Sequence, residues 1–102
     1  MMQTLPQNEA ALLLALTMHP VIVSLQGGID VWKQYKRGIL SSCPKEADAD
    51  HVVLAVGFDG NSFKLRNSWG PRWGEKGYIR LARGSPGLGT CKLLTNMRGV
   101  LF

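Results

Sequence analysis

The chain has 102 residues, 45% of them hydrophobic and 19% charged, a balance that is typical of one folded domain and argues against disorder. The net charge of +5 comes from scattered basic residues, with Lys33, Lys36 and Arg37 the densest group, which gives little support for nucleic-acid binding. No apolar run approaches the roughly 18 residues that span a membrane, and residues 10–16 follow the acidic Glu9 rather than a basic region, so they do not resemble a signal peptide.

The first quarter of the chain is predicted to form a helix followed by a buried strand. We expect a flexible tail over residues 1–5. Asn8 is a favourable helix N-cap, and residues 10–18 are rich in alanine and leucine, which favour helix. Pro20 ends this helix, and the continuous apolar run at 21–25 is typical of a buried strand.

Turn and loop signals dominate the next part of the chain. The pair Gly27-Gly28 predicts a turn. Residues 30–35 are predicted to form a short helical turn, in which Trp32 and Tyr35 share one face and pack in the core or at its rim. Residues 41–50 are predicted to form a polar loop.

The second half of the chain is predicted to form strands. A turn signal at 58–61 separates an apolar run from a return strand. The predicted strands cover residues 51–57, 62–68 and 77–82, and residues 100–102 could close the sheet. We therefore predict a single domain over residues 1–102 of the α+β class, dominated by β structure. An N-terminal helix is expected to lead into an antiparallel, barrel-like sheet.

The predicted hairpin brings two polar side chains together. If the turn is centred on Asp59, His51 lies directly opposite Asn67, with Cβ atoms about 4.5–5.5 Å apart. A one-residue slip would instead pair His51 with Ser68. With the first register, one face carries a set of apolar side chains and the other carries two cations that point to solvent. The apolar set is Val53, Ala55, Phe63 and Leu65, and the cations are Lys64 and Arg66.

A histidine oriented by an asparagine amide is the base half of a nucleophilic mechanism. The amide holds the ring so that its other nitrogen faces the nucleophile, and it adds no charge. Trp69, two residues after Asn67, could shield that hydrogen bond from water. The alternative is that His51 is an ordinary structural histidine on an apolar hairpin. Residues 66–77, which hold two tryptophans and three glycines, would then be a structural loop.

Two segments carry a resemblance to a known family. They are DHVVLAVG at residues 50–57 and LRNSWGPRWGEKGYIR at residues 65–80, and they resemble the carboxy-terminal, His- and Asn-bearing lobe of the papain family of cysteine peptidases. The similarity covers about residues 5–102. It implies that His51 is the catalytic base, that Asn67 is its orienting amide, that Trp69 covers the pair beside the leaving group, and that Trp73 is a packing residue.

The resemblance also implies a disulfide between Cys43 and Cys91, as in many members of the family. Cys43 as the nucleophile is the weaker alternative, because it lacks the Gly-Ser-Cys-Trp setting of the family's nucleophilic helix. A metal site formed by Cys43, His51 and Cys91 is disfavoured because the spacings match no compact ligand pattern. We expect no cofactor and no metal.

Four further residues match family positions at the substrate cleft. Ser24, Val52 and Asn96 match the main specificity pocket, and Asp50 borders the cleft, although ordinary packing or solvent exposure would account for all four. The implied substrate is a peptide or protein. The implied compartment is the secretory pathway, a lysosome or vacuole, or the extracellular space, with no signal peptide visible in these 102 residues.

The family's nucleophilic cysteine belongs to a second, helical lobe. We therefore expect these 102 residues to be inactive by themselves and to require that lobe, on another chain or on a further segment. The exposed cleft wall could also support association between copies of this chain or with another protein. The alternative function is a non-enzymatic relic lobe that serves as an interaction or assembly subunit.

Overall fold

Seven strands and two short helices make up the fold in this computed structural model, which describes residues 2–27, 29–44 and 49–100. Helix α1 spans Glu9–Leu16 and α2 spans Asp30–Lys33, and a 3₁₀ turn covers Thr90–Lys92. The strands are β1 (Met2–Thr4), β2 (Val21–Leu25), β3 (Ile39–Leu40), β4 (His51–Phe58), β5 (Ser62–Arg66), β6 (Tyr78–Ala82) and β7 (Asn96–Val100).

The strands form one sheet in the order β1-β7-β2-β4-β5-β6-β3. Every pair is antiparallel except β3 with β6. The predicted α+β, β-dominated class is confirmed, but the barrel-like closure is wrong, because the sheet stays open between β1 and β3. These edge strands have only three and two residues, too few to build a closing ladder.

Helix α1 begins where the sequence places it. The Asn8 side chain accepts a hydrogen bond from the Ala11 backbone N–H at 2.8 Å, which satisfies one of the free amides of the first turn. The helix ends at Leu16, two residues earlier than predicted, and Thr17 follows as its C-cap. Leu12 and Ala15 point into the core.

Both ends of the chain depart from expectation. In place of a flexible tail over residues 1–5, Met2–Thr4 form β1 and pair with β7. Strand β7 begins at Asn96 rather than at Val100, and residues 101–102, predicted to close the sheet, lie outside the described part of the chain. Gly28 and residues 45–48 of the predicted polar loop also lie outside it.

The core lies on the inner face of the sheet, under α1 and α2. Val53, Ala55, Phe63 and Leu65 are at most 5% exposed, so the predicted inward set of the hairpin is confirmed. Other buried members come from both helices and from every long strand: Leu12, Trp32, Val21, Val23, Leu25, Ile79, Leu81 and Met97. Trp32 and Tyr35 both join this core, as the sequence predicts.

The pairing of β4 with β5 differs from the predicted register by two residues on the His51 side of the hairpin and by three residues at the turn. Ala55 lies opposite Leu65, and Phe58 lies opposite Phe63 at the turn. The turn is not centred on Asp59, because the Asp59 N–H donates to the Ser62 carbonyl at 2.9 Å. A shift of two residues leaves each side chain on its predicted face, so Lys64 and Arg66 are still exposed.

A bulge in β4 connects the turn to the rest of the hairpin. The register shifts between Ala55 and Gly57, so that Val56 is an extra residue on that strand. Without it, the register set at the turn would place Asn67 on the outer face, opposite to the face of His51. The bulge therefore brings both side chains to the same face.

Candidate active site

A hydrogen bond joins His51, the first residue of β4, to Asn67, which directly follows β5. The distance from His51 Nε2 to Asn67 Oδ1 is 2.8 Å. Asn67 Oδ1 also accepts from the Ser68 backbone N–H at 2.8 Å, which fixes the orientation of the amide, because an NH₂ group there would face two donors. The ring nitrogen Nε2 therefore carries the proton, and Nδ1 is the basic nitrogen.

The contact forms although the two residues are not directly opposed. Continuing the ladder from Leu54 opposite Arg66 makes His51 and Asn67 diagonal neighbours on one face. Diagonal neighbours are about 7–8 Å apart at the backbone, within reach of long side chains. The Asn67 N–H donates to the Gly77 carbonyl at 3.0 Å, which holds the end of β5 in place.

The Asn67 side chain is 6% exposed. Its Nδ2 atom is buried and has no hydrogen-bond partner among the described residues. Such a group costs about 1–3 kcal/mol of stability. A buried side chain with an unsatisfied donor is therefore a poor choice for stability alone.

Three tryptophans form a cluster against the imidazole. The ring centroids of Trp69 and Trp32 lie 5.1 Å and 5.9 Å from that of His51. Trp32 is fully buried and Trp69 is 37% exposed, so Trp69 lies between the ring and solvent. Trp73 stacks on Trp32 at 5.7 Å and donates its indole N–H to the Trp32 carbonyl at 2.8 Å. These contacts restrict the imidazole on two sides.

Gly27 lies directly beneath His51, and the sequence interpretation missed it. A Cβ atom at this position would lie 2.5 Å from His51 Cδ2 and 2.9 Å from His51 Cβ. Its backbone is not in the positive-φ region, so glycine is required here for space and not for turn geometry. The Gly27-Gly28 pair is visible in the sequence, but it was interpreted as a turn and not as a sign of close packing against His51.

An ion-pair network supports the loop that carries Trp73. The Glu75 carboxylate accepts from Arg80 Nε and Nη2 at 2.8 Å each and from the Gly38 N–H at 3.1 Å. The hydrogen bonds from Arg80 lower the pKa of Glu75 to about 2. Tyr35 donates to the Gly38 carbonyl at 2.6 Å, and burial raises the pKa of its phenol.

Three of the four predicted substrate residues meet on the outer face. Ser24 pairs with Val52 across β4 and with Asn96 across β7. These three line a depression of about 430 Å³ together with Ile22 and with Met2 and Arg98. Asp50 is exposed just before β4 and does not line it.

The predicted pairing of the cysteines is confirmed, since Cys43 and Cys91 form a disulfide with a Cα–Cα distance of 5.0 Å. Cys43 therefore has no free thiol, and the nucleophile alternative for it is wrong. The Cys91 carbonyl accepts from the Gln26 N–H at 2.9 Å, and Trp32 donates its indole N–H to Cys91 Sγ at 3.5 Å. The disulfide thus supports the segment that places Gly27 under His51.

Within the described ranges, no three His, Cys, Asp or Glu side chains gather in a way that could hold a metal ion. Across those ranges, neither helix has the length and apolar character needed to cross a membrane.

The family described as papain family cysteine protease matches residues 1–100. Papain of Carica papaya is 41% identical over 95 residues, which are 92% of this chain and 27% of that sequence. Mexicain of Jacaratia mexicana is 42% identical over 90 residues, 87% of this chain and 42% of that sequence. The chain therefore spans less than half the length of either relative.

Solved structures give the same result. The cysteine protease CMS1MS2 of Carica candamarcensis superposes with a TM-score of 0.88 at 34% identity, over 96% of this chain and 46% of that one. The bromelain protease of Ananas comosus has a TM-score of 0.83 at 30% identity, over 96% of this chain and 48% of that one.

Proposed function

Because this chain belongs to the papain family of cysteine proteases, we propose that it supplies the catalytic base and the orienting amide for hydrolysis of peptide bonds. The observation that carries the proposal is the hydrogen bond from His51 Nε2 to Asn67 Oδ1 at 2.8 Å. It sets the tautomer that a Cys-His-Asn mechanism needs.

In the proposed reaction, His51 Nδ1 accepts the thiol proton of a cysteine, and the thiolate adds to the carbonyl carbon of the scissile bond. The imidazolium then gives that proton to the leaving amine as the C–N bond breaks, which leaves a thioester. Water, deprotonated by the same nitrogen, hydrolyses the thioester and restores the thiol. Asn67 keeps the ring oriented in each step, and Trp69 shields the His51–Asn67 bond from water.

The nucleophile must come from outside these residues, because both cysteines are in the disulfide. We assign it to a helical lobe on another chain or on a further segment, and we expect residues 1–102 to be inactive by themselves. The outer-face depression lined by Ser24, Val52 and Asn96 would hold a substrate side chain before the scissile bond. Asp50 would border the cleft, and Trp69 would lie beside the leaving group.

The disulfide also supports the proposed compartment. Disulfides persist in oxidising environments and are rare where thiols are kept reduced. The bond between Cys43 and Cys91 therefore favours the secretory pathway, a lysosome or vacuole, or the extracellular space.

The test is reconstitution. This chain is mixed with a cysteine-bearing helical lobe of a related peptidase, assembly is verified by sedimentation, and a fluorogenic peptide is assayed. We expect activity only in the mixture. His51→Ala should abolish it, and Asn67→Ala should lower kcat by at least about 100-fold through misplacement of the ring. Lys64→Ala, a change at an exposed position of the same hairpin, is the matched control. An assembled but inactive mixture would contradict the proposal and favour a non-enzymatic role.

A further inference from the structure

A basic patch lies at the end of α2, next to the tryptophan cluster. Its cations are Lys33, Lys36, Arg37 and Arg72, all of them exposed. Three of them line a depression of about 400 Å³ whose wall is aromatic. The residues that line it are Lys33, Lys36 and Arg72 with Gln34, Tyr35, Trp73 and Gly74.

The patch has no acidic partner among the described residues. The two ion pairs among the described residues join Glu75 to Arg80 and Glu9 to Arg83. Neither pair includes a cation of the patch. Asp30, in the first turn of α2, forms no ion pair with Lys33 in that part of the chain. The patch therefore keeps a net positive charge that an external anion can neutralise.

The patch and the outer-face depression flank the proposed catalytic base from opposite sides. Side chains alternate along a strand, so His51 and Val52 project to opposite faces of β4. Val52 lines the depression. On the other face, a chain of ring contacts connects His51 to the patch. The His51 and Trp69 ring centroids are 5.1 Å apart, and those of Trp69 and Trp73 are 5.2 Å apart. Trp73 is already part of the patch wall.

We propose that the basic patch binds acidic side chains of the substrate, on the leaving-group side of the scissile bond. This inference rests on the proposed function. The two centroid steps of 5.1 Å and 5.2 Å place the Trp73 ring at most about 10 Å from the His51 ring, which corresponds to at most about three residues of extended peptide. Acidic residues at the second to fourth positions after the scissile bond would reach Lys33, Lys36 and Arg72, and the half-buried Trp73 would contact their methylene groups.

A peptide fits this patch better than a nucleic acid does. Single-stranded nucleic acids need aromatic faces on which bases can stack. Here Tyr35 is 9% exposed, and Trp73 is stacked on Trp32 with ring centroids 5.7 Å apart. The patch thus offers cations that can pair with carboxylates and an aromatic edge that can contact the rest of a flexible peptide.

The first test measures binding by this chain without any partner lobe. Amide chemical shifts of ¹⁵N-labelled protein are followed during titration with a Glu-rich hexapeptide and with its Gln-rich counterpart. We expect shifts at residues 33–37 and 72–74 with the Glu-rich peptide, and we expect them to fade in about 0.5 M salt because charges are screened. Lys33→Gln/Arg72→Gln should weaken binding about five- to twentyfold, since one exposed ion pair changes an equilibrium constant by up to about fivefold.

The matched control is Lys64→Gln/Lys76→Gln, which removes the same charge from exposed positions elsewhere. Binding that both double variants weaken equally would overturn the proposal, because it would reflect net charge only. Equal binding of the Gln-rich peptide would overturn it as well, and so would tighter binding of an oligonucleotide of equal charge.

The second test uses the reconstituted assembly and two fluorogenic peptides that differ only after the scissile bond. One carries glutamates at the second and third positions, and the other carries glutamines. We expect kcat/KM to favour the glutamate peptide about five- to twentyfold, and Lys33→Gln/Arg72→Gln should remove the preference. Equal kcat/KM would refute the inference and leave the proposed function intact. No cleavage of either peptide would instead refute the proposed function, and the binding titration would still decide the role of the patch.

Discussion

Replacing Gly27 by alanine tests whether the position of His51 depends on an empty space beneath it. The new Cβ would lie 2.5 Å from His51 Cδ2, which is 0.9 Å short of the 3.4 Å at which ordinary van der Waals contact begins. Rotation of the ring cannot relieve the clash, because His51 Cβ itself lies at 2.9 Å. The His51 side chain and its backbone must therefore move.

A displacement of this size breaks the hydrogen bond to Asn67. That bond is 2.8 Å long, and stretching it by the same amount takes it beyond the about 3.5 Å limit of a useful hydrogen bond. Overpacking of this kind costs about 1–3 kcal/mol. We expect Gly27→Ala to lower the free energy of unfolding by that amount and to remove the strict preference for the Nε2–H tautomer.

Two measurements on the purified chain check this prediction. Urea denaturation gives the stability, and long-range ¹H–¹⁵N NMR gives the tautomer of His51. Gly57→Ala is the matched control, because a Cβ at Gly57 would meet nothing within 4 Å. A Gly27→Ala chain that keeps the Nε2–H tautomer and whose unfolding free energy lies within about 0.5 kcal/mol of the control would refute the steric clash.

Three further predictions concern stability. Replacing both Cys43 and Cys91 by serine should cost about 4 kcal/mol in urea denaturation, because the disulfide closes a separation of 48 residues; a loss below about 1 kcal/mol would contradict this chain-entropy account. Phe63→Ala should cost about 3–5 kcal/mol because Phe63 is fully buried, whereas Phe58→Ala, at a 42% exposed position, should cost far less. The pKa of Glu75 is lowered to about 2, so the stability lost in Glu75→Gln should be constant above about pH 5 and should shrink as the pH falls from there through 2; a difference in unfolding free energy that is as large at pH 2 as at pH 7 would be inconsistent with the ion pair.

The hairpin shows which structural features can be predicted from the sequence and which cannot. Alternation of apolar and polar residues predicts which side chains face the core, and those assignments survive because a shift of two residues does not change faces. The exact register could not be predicted, since it depends on the loop at residues 59–61 and on the extra residue Val56. The predicted contact between His51 and Asn67 forms although the predicted register is wrong, because both side chains are long enough to meet diagonally.

Features without a local pattern were missed. Strands β1 and β3 have three and two residues, too few for a periodicity to be seen, and their pairing partners are distant in sequence. The closeness of Gly27 to His51 depends on the pairing of β2 with β4, which no local signal reports. Trp32 was expected in the core, but its contact with the imidazole depends on where α2 packs.

The bulge at Val56 also affects which changes in chain length the hairpin can accept. Pairing on one side of it is set by the turn, and pairing on the other side is set by the buried side chains at Ala55 and Leu65. The exposed residues 59–61 can therefore gain or lose residues without moving Asn67, whereas a deletion between Val56 and His51 would turn one of the paired polar side chains away from the other. The tip of the hairpin is thus a site for inserting a tag or a label, and the strand on the site side of the bulge is not.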